Sequence, residues 1–293
     1  AKACKELEDI ARWCLKDFTS TLVINGDQEL EYIPQICHES RSITQLRVRA
    51  VHWKMKQLNI LGSMLCQFPP LDVLELKGVE KKDYLGRIVI DEQYQIGVAG
   101  LEVLTKHASK LCYLRRLSLR ASLIGDRGVT LLVPLLSQMK YLRVLNLRYC
   151  QIGDEGAIAL APVLQMMTKL KELNLYNNGI EARGARALAP VLQMMTQLKE
   201  LNLGRNNLGR EGARVLALAL QVMTQLEVLN VSSRKHYTNR NIGDEGARAL
   251  VPALQVMTQL KELNLYDNEI GADGARALAP ALQVMTQMKV LNL

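Results

Sequence analysis

The chain has 293 residues, of which 48% are hydrophobic, 23% charged and 4% aromatic, with a formal net charge of +8. This is ordinary globular composition, and no run approaches the ~18–20 apolar residues of a membrane span, so no membrane insertion is expected. With two Phe and two Trp, the core falls to Leu, Ile, Val, Met and Ala, and the excess of Lys and Arg favours acidic partners.

The first residues, AKACKELEDI, lack the apolar centre of a signal peptide. There is no initiator Met and the last residues stop within a repeat, so the chain reads as a piece of a longer protein. The expected compartment is the cytoplasm. Within residues 1–18, Leu7, Ile10, Ala11 and Cys14 line one face of a predicted helix, suited to capping the end of a stack. The cysteines, Cys4, Cys14, Cys37, Cys66, Cys112 and Cys150, are scattered without CxxC or metal-ligand spacing. Reduced, mostly buried thiols are expected.

Residues 19–70 carry a degenerate repeat. TSTLVI, around Leu22 and Ile24, resembles a strand, and Ile43 opens ITQLRV. Regular repeats fill 71–293. Leu71 opens LDVLEL; Leu114, Leu142, Leu170, Leu198 and Leu226 follow one another at 28-residue steps, each opening a copy of LxxLxL. Leu260 comes 34 residues later, and Met288 another 28 on. The second and third apolar residues of the phrase alternate along a short strand, so both point inward. An Asn or Cys follows (Cys150, Asn178, Asn206, Asn268), able to satisfy backbone groups where the chain leaves the sheet. Ile152 and Gly156, Ile180 and Gly184, Leu208 and Gly212, and Ile270 and Gly274 then introduce segments with helical apolar spacing. Pro134, Pro162, Pro190, Pro252 and Pro280 share one position in those segments. Either each helix begins close to its proline or each bends there.

LKELNLYNNGIEARGARALAPVLQMMTQ, Leu170 to Gln197, and its copies resemble the leucine-rich repeats of the ribonuclease-inhibitor type. The resemblance covers Leu71–Leu293 well and Thr19–Pro70 loosely. It implies an α/β horseshoe solenoid with a parallel sheet on the concave face and helices on the convex face. Proteins with such repeats include ribonuclease inhibitors, the sensor regions of NOD-like receptors and activators of the Ran GTPase. A ribonuclease inhibitor is acidic and rich in Cys, whereas this chain is basic and poor in Cys, so that partner is rejected. The loop residues of a Ran-type activator are not matched one by one. A NOD-like receptor carries a nucleotide-binding domain upstream, and no GxxxxGKS or GxxxxGKT pattern occurs in this chain.

Strands stacked ~4.8 Å apart turn equivalent positions into columns. The column just after LxxLxL reads Arg49, Lys77, Arg120, Arg148, Tyr176, Gly204, Ser232 and Tyr266. The next column adds Tyr149, Asn177 and Arg205. An Asn column (Asn146, Asn174, Asn202, Asn230, Asn264, Asn292) reads as scaffold, and the sequon Asn230-Val231-Ser232 inside it as chance. Two further columns mix signs, one holding Arg115, Arg143, Lys171, Lys199 and Lys261, the other Arg116, Glu172, Glu200 and Glu262. Lys–Glu pairing is expected there.

The period breaks at edge insertions near 79–95 and 232–240, an excess of 15 and 6 residues respectively. The first contains GRIVID, an expected extra strand; the second contains Arg234, Lys235, His236 and Tyr237. Lengthened loops on a rigid scaffold carry function or record tolerated drift, and the sequence weighs both evenly. Roughly 24 Å along the sheet separates them, room for two jaws on one rim.

His38, His52, His107 and His236 form no triad, HExxH or metal cluster in the sequence, so neither catalysis nor a metal or other cofactor is expected. The function expected is a protein–protein interaction module. It would bind an acidic partner on the concave face and ascending-loop edge, as the recognition region of a larger protein such as a NOD-like receptor. The candidate contacts are Arg49, Lys77, Arg116, Arg120, Arg148, Tyr149, Tyr176, Arg205, Tyr266, Arg234, Lys235, His236 and Tyr237. Alternatives are a nucleic-acid or polyanion binder and a regulator of a small GTPase.

Overall fold

A computed structural model of the chain describes residues 21–32, 43–49, 51–82, 88–233 and 241–293. The expected capping helix within 1–18 lies outside the described residues, as do Arg234, Lys235, His236 and Tyr237.

The N-terminal repeats give β1 (Thr21–Asn25), α1 (Asp27–Tyr32), β2 (Gln45–Arg49), α2 (Met55–Gln67) and β3 (Val73–Lys77). The first insertion forms β4 (Val79–Lys82) and β5 (Ile88–Asp91), followed by α3 (Gly97–Lys106) and α4 (Ala108–Leu111). The regular repeats then run β6 (Arg116–Ser118), α5 (Gly125–Leu136), β7 (Val144–Asn146), α6 (Asp154–Met166), β8 (Glu172–Asn174), α7 (Ala182–Met194), β9 (Glu200–Asn202) and α8 (Gly209–Leu220). They continue as β10 (Val228–Asn230), α9 (Gly243–Val256), β11 (Glu262–Asn264), α10 (Ala272–Val284) and β12 (Val290–Asn292).

All strands but β4 and β5 form one 10-stranded parallel sheet in sequence order. Its register follows the sequence phrase. Leu74 pairs with Leu117, Leu117 with Leu145, and Leu229 with Leu263. Both insertions are therefore absorbed outside the strands without a slip. The helices pack on the other side of the sheet. Helices need 8–10 Å between axes where strands need only ~4.8 Å, so the stack curves with its sheet inside. The phrase leucines are the core: Leu117, Leu145, Leu173, Leu201, Leu229 and Leu263 are all buried.

Polar side chains bind the repeats to one another. Asn178 Oδ1 accepts from the Cys150 and Ile152 amides at 3.0 Å each, and its Nδ2 donates to the Leu147 and Leu175 carbonyls at 2.9 Å. Asn206 and Asn268 repeat the pattern. Cys150 takes the same place one repeat earlier, with its Sγ donating to the Leu119 carbonyl at 3.0 Å. A second tie joins successive helices. Asp126 Oδ1 accepts from the Gly153 and Gly156 amides, Asp154 from Glu181 and Gly184, and Asp244 from Gly271 and Gly274. Each aspartate thus caps the helix of the following repeat. It also explains the glycine at the packed position, because a Cβ on Gly184 would stand 2.6 Å from Asp154 Oδ1.

The prolines lie well inside their helices, so the helices do not start at them. All five are exposed. The carbonyl each leaves unbonded, four residues earlier, sits on the outer side where water can reach it, which lowers the usual penalty. The thiols correct the sequence expectation. Of the described cysteines, Cys150 is buried, Cys112 is half-buried and Cys66 is exposed. Burial pushes the Cys150 thiol up to about 12.

Candidate protein-binding face

The column after the strand phrase is a continuous backbone ladder. The Gly78 amide donates to the Arg120 carbonyl, Ala121 to Arg148, Tyr149 to Tyr176, Asn177 to Gly204, Arg205 to Ser232 and Ser233 to Tyr266. Arg49 pairs in register with Lys77. The Asn column supports this ladder from within. The Oδ1 atoms of Asn146, Asn174, Asn202, Asn230 and Asn264 accept from the amides two residues on, at 3.0–3.1 Å. Those asparagines are occupied by the fold, as the expectation of a scaffold role requires, and Ser232 of the sequon is buried.

The side chains along the ladder differ in what they hold. Arg120 is clamped by Glu80 of β4, its Nε and Nη2 donating to the two carboxylate oxygens at 2.5 and 2.7 Å. The first insertion thus folds β4 and β5 back on the column as an antiparallel pair, with Ile88–Asp91 of GRIVID supplying a strand to β4 and, among the described residues, none to the main sheet. Asp91 of the hairpin pairs with Lys81 at 2.5 Å. The Tyr94 ring lies against the His52 ring, centroids 4.0 Å apart.

Arg148 is held differently. Its guanidinium carbon lies 4.8 Å from the Tyr149 ring centroid and 4.5 Å from that of Tyr176. Its Nε is buried without a hydrogen-bond partner among the described residues. The Arg205 guanidinium carbon also lies over the Tyr176 ring, 5.7 Å from its centroid. Tyr149 itself is 2% exposed, with φ 58°. This corrects its reading as an open contact: the left-handed backbone turns the ring inward, where it walls in Arg148. Tyr266 stands exposed.

Arg49, Lys77 and Arg148 form no ion pair among the described residues. Burial holds the Lys77 amino group below its ordinary value, and Arg120, Arg49 and Arg148 push it the same way against Glu80. These rungs therefore carry concentrated positive charge.

The mixed columns pair as expected in part. Lys199 and Lys261 both reach Glu227 of their own column, each at 2.5 Å, and together hold its carboxyl down at about 2. Arg116 reaches across β7 to Glu172 at 3.7 Å. Glu200 and Glu262 are left without an ion pair among the described residues. Partial desolvation, then Glu172, Glu262 and Glu227, push the Glu200 carboxyl above its usual range. Among the described residues the sheet face thus carries unpaired cations at Arg49, Lys77 and Arg148 and unpaired carboxylates on β9 and β11, the latter among Lys199, Arg205 and Lys261; the column reading missed these carboxylates.

Two imidazoles have polar partners the sequence did not reveal. His52 Nδ1 lies 2.6 Å from Asp27 Oδ2, and His107 Nδ1 lies 3.5 Å from Cys66 Sγ. The first pair ties α1 to the chain after β2; the second joins α2 to the end of α3. No group of three or more His, Cys, Asp or Glu able to hold a metal occurs among the described residues. No described helix is long and apolar enough to cross a membrane.

The family described as Leucine Rich repeat matches residues 138–161, 167–189, 195–217 and 256–279. No curated protein matches the chain. Among solved structures, an internalin from Listeria monocytogenes is similar at 16% identity and TM-score 0.40, over 100% of this chain and 95% of that one. A leucine-rich-repeat protein of Leptospira interrogans is similar at 14% and 0.45, over 98% and 69%. The Arabidopsis receptor kinase HAESA, solved with a peptide hormone and a co-receptor, is similar at 15% and 0.45; the match covers 84% of this chain and 36% of that one. At these values the likenesses bear on neither partner nor activity. Period, register and matched repeats together identify the chain as a leucine-rich-repeat solenoid.

Proposed function

We propose that the chain is a non-catalytic recognition module that holds a partner protein on its sheet face, with the β4–β5 hairpin edge as a second contact. One observation carries this reading. Arg49, Lys77 and Arg148 stand in one column of the sheet face, without ion-pair partners among the described residues, and Tyr176 and Arg205 lie beside Arg148. Unpaired cations on a rigid face favour an acidic surface opposite them. The 28-residue step and the Asn or Cys turn position support a repeat of the ribonuclease-inhibitor type. That type fits the recognition region of a larger cytoplasmic protein, of which a NOD-like receptor is one kind. The basic rungs also favour a polyanion reading, but Glu200 and Glu262 on the same face oppose it.

Selection of a displayed random-peptide library on the purified chain tests the reading. Binders are expected to be lost with Arg148→Glu/Tyr266→Ala and kept with Met166→Glu/Met194→Glu, which alters exposed methionines on the helix side. Binders that survive the first variant and fail on the second would place recognition on the helices instead.

A further inference from the structure

Three facts about the sheet face around Arg148 point to one ligand chemistry. The Arg148 guanidinium is packed against two tyrosine rings set edge-on to each other, at 4.8 and 4.5 Å from their centroids, before anything binds. A planar cation held this way has little rotamer freedom left to lose on forming an ion pair. One rung away, the chain shows what such a column accepts: Glu80 presents both carboxylate oxygens to Arg120. Two to four strands further along, Glu200 and Glu262 form no ion pair among the described residues.

We propose that Arg148, with Lys77 beside Arg120, is a seat for a carboxylate side chain on an extended segment of a partner protein. The same segment would carry basic residues over Glu200 and Glu262. In the free protein Glu80 fills the neighbouring Arg120 rung in cis, so the hairpin sets how much of the column stays open. The inference rests on the sheet-face reading above and adds ligand class and direction to it. A nucleic acid fits less well, because its phosphates recur along the whole strand and would run over the carboxylates of β9 and β11.

The test uses fluorescently labelled probes and anisotropy at low salt: octaglutamate, a peptide with an acidic half followed by a basic half, and oligothymidine. Arg148→Gln is expected to weaken octaglutamate by about tenfold, as for loss of a charge-assisted contact. Glu80→Gln, which releases Arg120, is expected to strengthen it. Arg127→Gln, the same charge change on the exposed side of α5, is expected to do neither. Glu200→Gln/Glu262→Gln should weaken the acid–base peptide and leave octaglutamate no weaker. Matching circular dichroism and melting of the variants exclude unfolding as the cause. Equal effects of Arg148→Gln and Arg127→Gln, no gain with Glu80→Gln, or oligothymidine binding at least as tightly as the acid–base peptide would each overturn the proposal. Failure here while library binders still depend on the sheet face would leave the docking reading intact and remove only the carboxylate seat.

Discussion

Asn206→Ala tests the polar spine of the stack. Asn206 is 2% exposed and serves four backbone groups: the Ile180 amide at 3.1 Å, the Leu175 and Leu203 carbonyls at 2.9 and 2.8 Å, and the Gly204 carbonyl at 3.5 Å, which also accepts from the Asn177 amide. Leu175 is also served by Asn178 Nδ2, so its carbonyl keeps a donor when Asn206 is removed. The substitution therefore orphans one buried amide and one buried carbonyl. At ~1–3 kcal/mol for each buried group left unpaired, the expected loss is about 3–4 kcal/mol. Urea denaturation followed by circular dichroism measures the total. Because repeat stacks need not unfold in one step, hydrogen exchange at the Ile180 amide gives the local readout, and its protection should fall. Asn206→Asp should be worse than Asn206→Ala, since it sets a carboxylate against two carbonyl oxygens. A midpoint shift worth less than about 1 kcal/mol, with Ile180 still protected, would refute the reasoning.

Three other outcomes follow from the same geometry. Asp154→Ala removes the cap on α7 and should cost about 1 kcal/mol, while Ala182→Asp, which supplies the missing equivalent to α8, should gain a comparable amount in thermal melts. Glu227 has a depressed folded-state pKa of about 2. Its pairs with Lys199 and Lys261 therefore stabilise fully above the ordinary glutamate range and are lost as pH falls toward 2. The melting difference between wild type and Glu227→Gln should shrink over that window, and a difference independent of pH would contradict it. Glu200 is raised, so its charge opposes folding above its folded pKa. Glu200→Gln should stabilise the chain near neutral pH and give no gain once both states are protonated.

The fold was legible because its information is periodic. A 28-residue step with LxxLxL sets the register, and the register makes Arg49, Lys77, Arg120 and Arg148 neighbours before any coordinates are known. What the period could not carry depends on departures from it. Glu80 meets Arg120 only because the insertion folds back as a hairpin, 40 positions away in sequence. Tyr149 looked like a contact residue until its left-handed backbone placed it 2% exposed. The Lys–Glu pairing was anticipated in kind, but which glutamate is shared depends on side-chain reach within a column. Glu227 takes both lysines, and Glu200 is left over. His107 and Cys66 meet because two helices pack, 41 positions apart in sequence.

The aspartate ties between helices are not uniform. Ala182 and Arg210 stand where Asp126, Asp154 and Asp244 stand in other repeats. The junctions from α7 to α8 and from α8 to α9 therefore lack the aspartate cap and are bridged instead by the exposed pairs Arg186–Glu211 and Arg210–Glu245. A helix cap is worth roughly 1 kcal/mol and an exposed ion pair about 0–1 kcal/mol, so hydrogen exchange is expected to show these two seams opening before their neighbours. The seams lie level with β9 and β10, between Arg148 and Glu262 along the face. A change of pitch there would alter the spacing between Arg148 and Glu262 along the face.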